Sequence, residues 1–101
     1  MGKKRLWSVF TDNMDECYYT QSPYCHRHHI YYGPFRKKSE KYGYIMPLAP
    51  RLHQNKKGSV HDSPNSGLDL ELKKMAQEHF EANHGTEDDF IREFGMSYKH
   101  L

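Results

Sequence analysis

No apolar run in this chain approaches the ~18 residues that a membrane-crossing helix needs, which argues against an integral membrane protein. Cysteine is scarce. Cys17 and Cys25 are the only two in 101 residues, too few for the multi-disulfide framework of a small secreted scaffold. Lys3, Lys4 and Arg5 lead into no apolar stretch, so Met1 to Phe10 does not read as a secretory signal. A reducing, intracellular setting is the expectation. Apolar residues make up only 36% of the chain and mean hydropathy is −1.03. A chain of this length builds one domain with a thin core.

What is present opposes disorder. Eight Tyr, five Phe and one Trp bring the aromatic fraction to 14%, and each ring buries a large apolar area. The reading is an aromatic-cored domain that draws on a metal, a partner or a second copy for stability. Eight histidines are many for so short a chain, and they are the first sign of chemistry.

Net charge is only +2, but it is unevenly spread. From Arg27 to His61, Arg27, Arg36, Lys37, Lys38, Lys41, Arg51, Lys56 and Lys57 face Glu40 alone, a net of +7. From Asp62 to Leu101, nine acids face four bases, a net of −5. The basic stretch is interleaved with Tyr31, Tyr32, Phe35, Tyr42 and Tyr44 and suits a nucleic-acid backbone. An ordinary solvated loop is the alternative.

The expected fold class is a small α+β arrangement. Leu6 to Phe10 is a candidate short strand. Tyr24 to Tyr32 predicts a strand stopped by Gly33-Pro34, and Tyr44-Ile45-Met46 a second, closed by Pro47. Residues 33–43 read as a long basic loop, and a helix can begin at Pro50. Leu68, Leu72, Met75, Ala76, His79 and Phe80 recur at helical spacing up to Asn83-His84-Gly85. His79 reads there as a packing residue rather than a ligand. Thr86 with Glu87, Asp88 and Asp89 starts a second helix, buried through Phe90, Ile91 and Phe94 and ended by Gly95.

His28-His29 at the end of the first strand is the focal point. Neighbours on a regular strand face opposite ways, yet at a strand end they can converge, one on a metal and one beside it for proton transfer. With His53 and His61, three neutral imidazoles would leave an open position on a divalent ion. Surface histidines without a role are the rival reading. Tyr31 and Tyr32 alternate, so one belongs to the core and the other near the groove.

This order of features resembles the HNH, or ββα-metal, nucleases. Those proteins place a histidine pair at the end of the first strand and a Pro-Leu segment before the helix of the motif. It resembles most the small phage-encoded HNH-like proteins of the recombination-enhancement type. The matching residues are His28-His29-Ile30-Tyr31-Tyr32-Gly33, Arg36-Lys37-Lys38, Pro47-Leu48, His53-Gln54-Asn55 and Val60-His61, with Leu68 to Lys73 and Phe94 to Tyr98 behind them.

The resemblance implies a single HNH-like domain over 1–101. It would have an N-terminal extension (1–14), a ββα-metal core with a short β-hairpin and a long basic loop (15–62), and C-terminal helices (63–101). It implies His29 as general base and Asn55 as an orienting residue. His28, His53 and His61 would hold a divalent ion (Mg, Mn or Zn). Arg27, Arg36, Lys37, Lys38, Lys41, Arg51, Lys56 and Lys57 would contact the DNA backbone. It further implies phosphodiester hydrolysis, DNA as partner, no membrane, and the cytoplasm of a phage-infected bacterium. Departures are visible. Thr20, Ala49 and Leu52 stand where cysteines of a structural zinc site would be, so that zinc is expected to be lost and replaced by packing of Tyr18, Tyr19 and Tyr24. A Cys17/Cys25/His26 site is a further option. A catalytically inactive HNH-like phage protein that binds DNA or a host protein is the rival function, and a chain that merely folds around a metal is a third; a protein partner or homodimer is a further expected association.

Overall fold

A computed structural model describes residues 6–53 and 59–101. Its order is β1 (His26–His29), a 3-10 turn (Gly33–Phe35), α1 (Arg36–Tyr42), β2 (Ile45–Leu48), α2 (Pro50–His53), α3 (Gly67–Asn83) and α4 (Glu87–Phe94). The two strands pair antiparallel with His26 opposite Leu48, Arg27 opposite Pro47, His28 opposite Met46 and His29 opposite Ile45. One more bond, from the Ile30 amide to the Tyr44 carbonyl, extends the pairing inward. The result is a small α+β molecule. None of its described helices is long and apolar enough to cross a membrane.

Three expectations from sequence need correction. Residues 33–43 are not a long loop: they form the 3-10 turn and α1. Pro34 sits in the first turn, where its missing N–H costs nothing, and Arg36 to Lys41 contains good helix formers. The buried Ser39 hydroxyl donates to the Tyr31 carbonyl and accepts from the Tyr31 amide, which bolts α1 to the end of β1. The basic residues therefore ride on a helix. Leu6 to Phe10 forms no strand, although the Val9 amide donates to the Gly43 carbonyl. The strands are also shifted from their expected limits. β1 is shorter, and β2 continues through Pro47 to Leu48. Proline is tolerated because in a two-stranded sheet each strand is an edge, and its carbonyl accepts from the Tyr18 amide.

The C-terminal helices follow the sequence pattern except at Ile91, expected in the buried face of α4 but exposed, because that face is filled by Phe90 and Phe94. Leu72, Ala76 and Phe80 of α3 are buried, and α4 adds Phe90 and Phe94. Thr86 and Asp89 close a reciprocal capping box at the start of α4. Tyr31 lies at the centre of the core, its ring 4.4 Å from that of Phe94 and 5.6 Å from that of Tyr98. His79 is a packing residue, as expected: its Nδ1 meets the Tyr44 hydroxyl at 3.1 Å and its ring stands edge-on to Phe10. α3 also buries Asp69, Lys73 and Gln77, polar groups that its apolar spacing did not announce.

Gly43 ends α1 in the left-handed conformation, φ +76°. A Cβ there would stand 2.6 Å from the Trp7 ring. Gly43→Ala is therefore expected to cost about 1–2 kcal/mol from backbone strain alone and to displace Trp7. Urea unfolding followed by fluorescence reads both effects, because Trp7 is the only tryptophan. Unchanged stability and emission would contradict this account.

Candidate metal centre

β1 carries its histidines by simple alternation. His26 and His28 share one face because they are two residues apart, and His29 takes the other. α2 begins at Pro50 and runs only to His53, whose amide donates to the Ala49 carbonyl. The chain then returns. Val60 donates to the Leu52 carbonyl and His61 to the His53 carbonyl. That backbone pairing sets His61 beside His53, with ring centroids 4.6 Å apart.

His28, from β1, completes the cluster. Its ring centroid is 5.1 Å from that of His53 and 5.3 Å from that of His61. One donor nitrogen from each of the three lies within 4.8 Å of the others, and this set could hold a metal ion. His28 is 2% exposed. Burial pushes its pKa down to about 2, helped by the neighbouring His53 and His61. Burial likewise lowers His53 to about 4, with His61 and His26 adding to the effect. His28 and His53 are thus kept neutral, the form that ligates metal. His28 Nε2 is buried and has no hydrogen-bond partner. Such a nitrogen costs free energy unless something binds it, and a metal ion at this cluster would do so.

His29 is also buried but serves differently. Its Nε2 lies 2.8 Å from Glu40 Oε2 on α1. With Nε2–H donating to that carboxylate, Nδ1 keeps the lone pair. His28 and His29 nonetheless line one cleft of about 300 Å³, together with His53, His61, Arg27 and Arg36. The convergence expected at a strand end is present, though through two different sets of partners.

The remaining basic candidates are dispersed. Arg27 is exposed and pairs with Asp15 at 3.0 Å. Lys37, Lys41 and Arg51 are exposed. Lys38 turns toward α4, donating to the Glu93 carbonyl at 2.8 Å. Asn55, Lys56 and Lys57 lie outside the described residues. Cys17, Cys25 and His26 do not form a three-donor cluster among the described residues, and both thiols are free. Burial pushes the Cys17 thiol up, but hydrogen bonds from Thr20, Ala49 and Tyr19 outweigh it and hold it below the ordinary value.

No family model, curated protein or solved structure matches the chain. The chemistry of this site must be argued from its geometry.

Three contributors escaped the sequence reading. Glu40 was hidden in what looked like loop. His26 Nδ1 meets His53 Nδ1 at 2.8 Å, a link that the shared strand face of His26 and His28 hinted at. The third is the wall behind the cleft. Tyr32 packs its ring against His28 and His61, while its hydroxyl accepts from Lys73 Nζ. Lys73 in turn pairs with Asp69 at 2.9 Å, the two side chains being 5% and 0% exposed, and donates to Asn65 at 2.7 Å. Burial disfavours the Lys73 ammonium, but Asp69 and Tyr32 outweigh it and hold its pKa above the ordinary value. Tyr31 is the core residue of the expected alternating pair and Tyr32 the one beside the groove.

Two measurements check this description. Asp69→Ala leaves Lys73 buried and unpaired, so it is expected to cost about 3–5 kcal/mol; a loss below ~1 kcal/mol in chemical denaturation would mean that the pair is not carrying charge in a dry environment. The second concerns acid. Unfolded histidines take protons below about pH 6.5, whereas folded His28 and His53 refuse them until about pH 2 and pH 4. The unfolded state then binds more protons, so stability of chelator-treated protein falls as pH drops from about 6.5 toward 4. A flat stability profile over that window would contradict the burial of these rings.

Proposed function

We propose that the chain is a divalent-metal-dependent endonuclease of HNH type that hydrolyses phosphodiester bonds in DNA. The observation that carries the proposal is one cleft holding three clustered imidazoles, one with an unpartnered buried Nε2, beside a fourth imidazole held by a carboxylate. In support, the paired strands carry His28 and His29 on β1, and the short helix that follows β2 ends at His53, although the 3-10 turn and α1 are inserted between the strands.

His28, His53 and His61 would hold the ion. A bound divalent ion supplies charge neutralisation at the phosphate and at the leaving oxygen. An all-imidazole set suits Zn²⁺ and similar ions better than Mg²⁺, which prefers oxygen ligands. His29 acts as general base. Glu40 fixes its tautomer, so Nδ1 accepts the proton as the water oxygen bonds to phosphorus and the P–O bond to the leaving group breaks. Arg36, and Arg27 once released from Asp15, meet the phosphate charge at the cleft mouth. Lys37, Lys41 and Arg51 extend the positive surface along the backbone of the nucleic acid.

The test is nicking of supercoiled plasmid by metal-stripped protein, with Zn²⁺, Ni²⁺, Mn²⁺ or Mg²⁺ returned singly. Nicking is expected with an imidazole-preferring ion and is expected to fall at least about a hundredfold in His29→Ala. Undiminished cleavage by that variant, at matched stability, removes His29 from the chemistry. Salt-sensitive DNA binding with no cleavage by any metal would instead identify a binding protein on the same scaffold, and absence of both would point to a protein partner.

A further inference from the structure

His26 belongs to neither the three-donor cluster nor the proposed chemistry, yet it stands at hydrogen-bond distance from a proposed ligand. It lies on β1 two residues before His28, so the strand presents both on one face. Its half-buried ring is 5.0 Å from that of His53, centroid to centroid, at 76°. The contact is Nδ1 to Nδ1 at 2.8 Å, while His53 Nε2 faces His61 Nε2 at 3.0 Å. Each of these contacts needs one proton. A neutral imidazole has only one N–H, so His53 can donate through Nδ1 or through Nε2 but not both.

We infer that His26 is a positioning residue for the metal centre: its Nδ1 accepts the His53 Nδ1–H and so holds His53 in the tautomer whose Nε2 lone pair is free for an ion. The inference rests on the metal reading above. In this direction the hydrogen bond puts the His53 proton on Nδ1 and leaves Nε2 to the ion, and it fixes the ring against rotation. This matters more for His53 than for His28, because His53 sits at the end of a four-residue helix whereas His28 is clamped in a paired strand. Outer-shell partners of this kind typically change metal affinity by about tenfold to a hundredfold.

The test uses Co²⁺ and Zn²⁺ binding to the full chain, with visible absorption reporting the Co²⁺ ligand set. His26→Ala is expected to weaken binding about tenfold to a hundredfold while leaving the Co²⁺ band at saturation unchanged in position and intensity. His26→Asn keeps an acceptor, because its Oδ1 occupies the place of Nδ1, and is expected to restore most of the affinity. Thermal unfolding without metal checks that both variants are folded. Equal affinity of wild type and His26→Ala overturns the role of His26 and leaves the centre standing. A changed Co²⁺ band in His26→Ala also overturns it, since His26 would then be a ligand. Failure of the wild-type chain to bind either ion removes the centre and this inference together.

Discussion

Four residue pairs, His26–His29 against Leu48–Ile45, hold the rest of the molecule in place. A two-stranded ribbon is marginal by itself in water. Here it survives because the chain on either side is pinned. Ser39 ties α1 back to Tyr31, the Ile30 amide reaches Tyr44, and Tyr31 and Tyr44 then enter an aromatic core with Phe80, Phe90 and Phe94. Edge-to-face and tilted ring pairs supply packing that the low aliphatic content cannot. The core fixes the strand ends, and the strand ends carry the chemistry.

The same pairing explains why the cleft has a divided character. Alternation along β1 turns His28 toward α2 and the 59–61 return, and His29 toward Glu40 on α1. One imidazole is thereby dried and kept neutral, while its neighbour is coupled to a carboxylate. Two adjacent residues of the same type acquire different partners from the two sides of one strand. Burying His28, with His53 half-buried beside it, is unfavourable in acid and leaves a nitrogen unpaired; such a cluster persists where binding compensates for it. The wall behind it is equally polar. Lys73, Asp69, Tyr32 and Asn65 form a network, dry at Lys73 and Asp69, that fastens the segment leading into α3 against the ring beside His28 and His61.

Much of the architecture was legible residue by residue. Helical spacing located α3, Thr86 with its acids located α4, and Pro50 located the start of α2, because caps and periodicity are local chemistry. The 33–43 segment misled for an equally physical reason. Gly33-Pro34 and a run of cations look like a solvated loop, and it takes tertiary contacts such as the Ser39 to Tyr31 bonds and the Lys38 bond to α4 to hold the helix in place. Glu40 was invisible as a partner of His29 until that helix existed.

Composition and spacing alone determined that this chain would be an aromatic-cored α+β domain with a histidine pair at a strand end and a basic middle. Those properties depend on neighbours within one element. Which histidines converge, which one is oriented by a carboxylate, and which cations face the cleft were decided only in three dimensions. These depend on backbone pairing between residues far apart in sequence, such as His28 with Met46, and on a short chain return that brings His61 beside His53. Periodicity says which face of a strand a side chain takes; tertiary packing says what stands opposite.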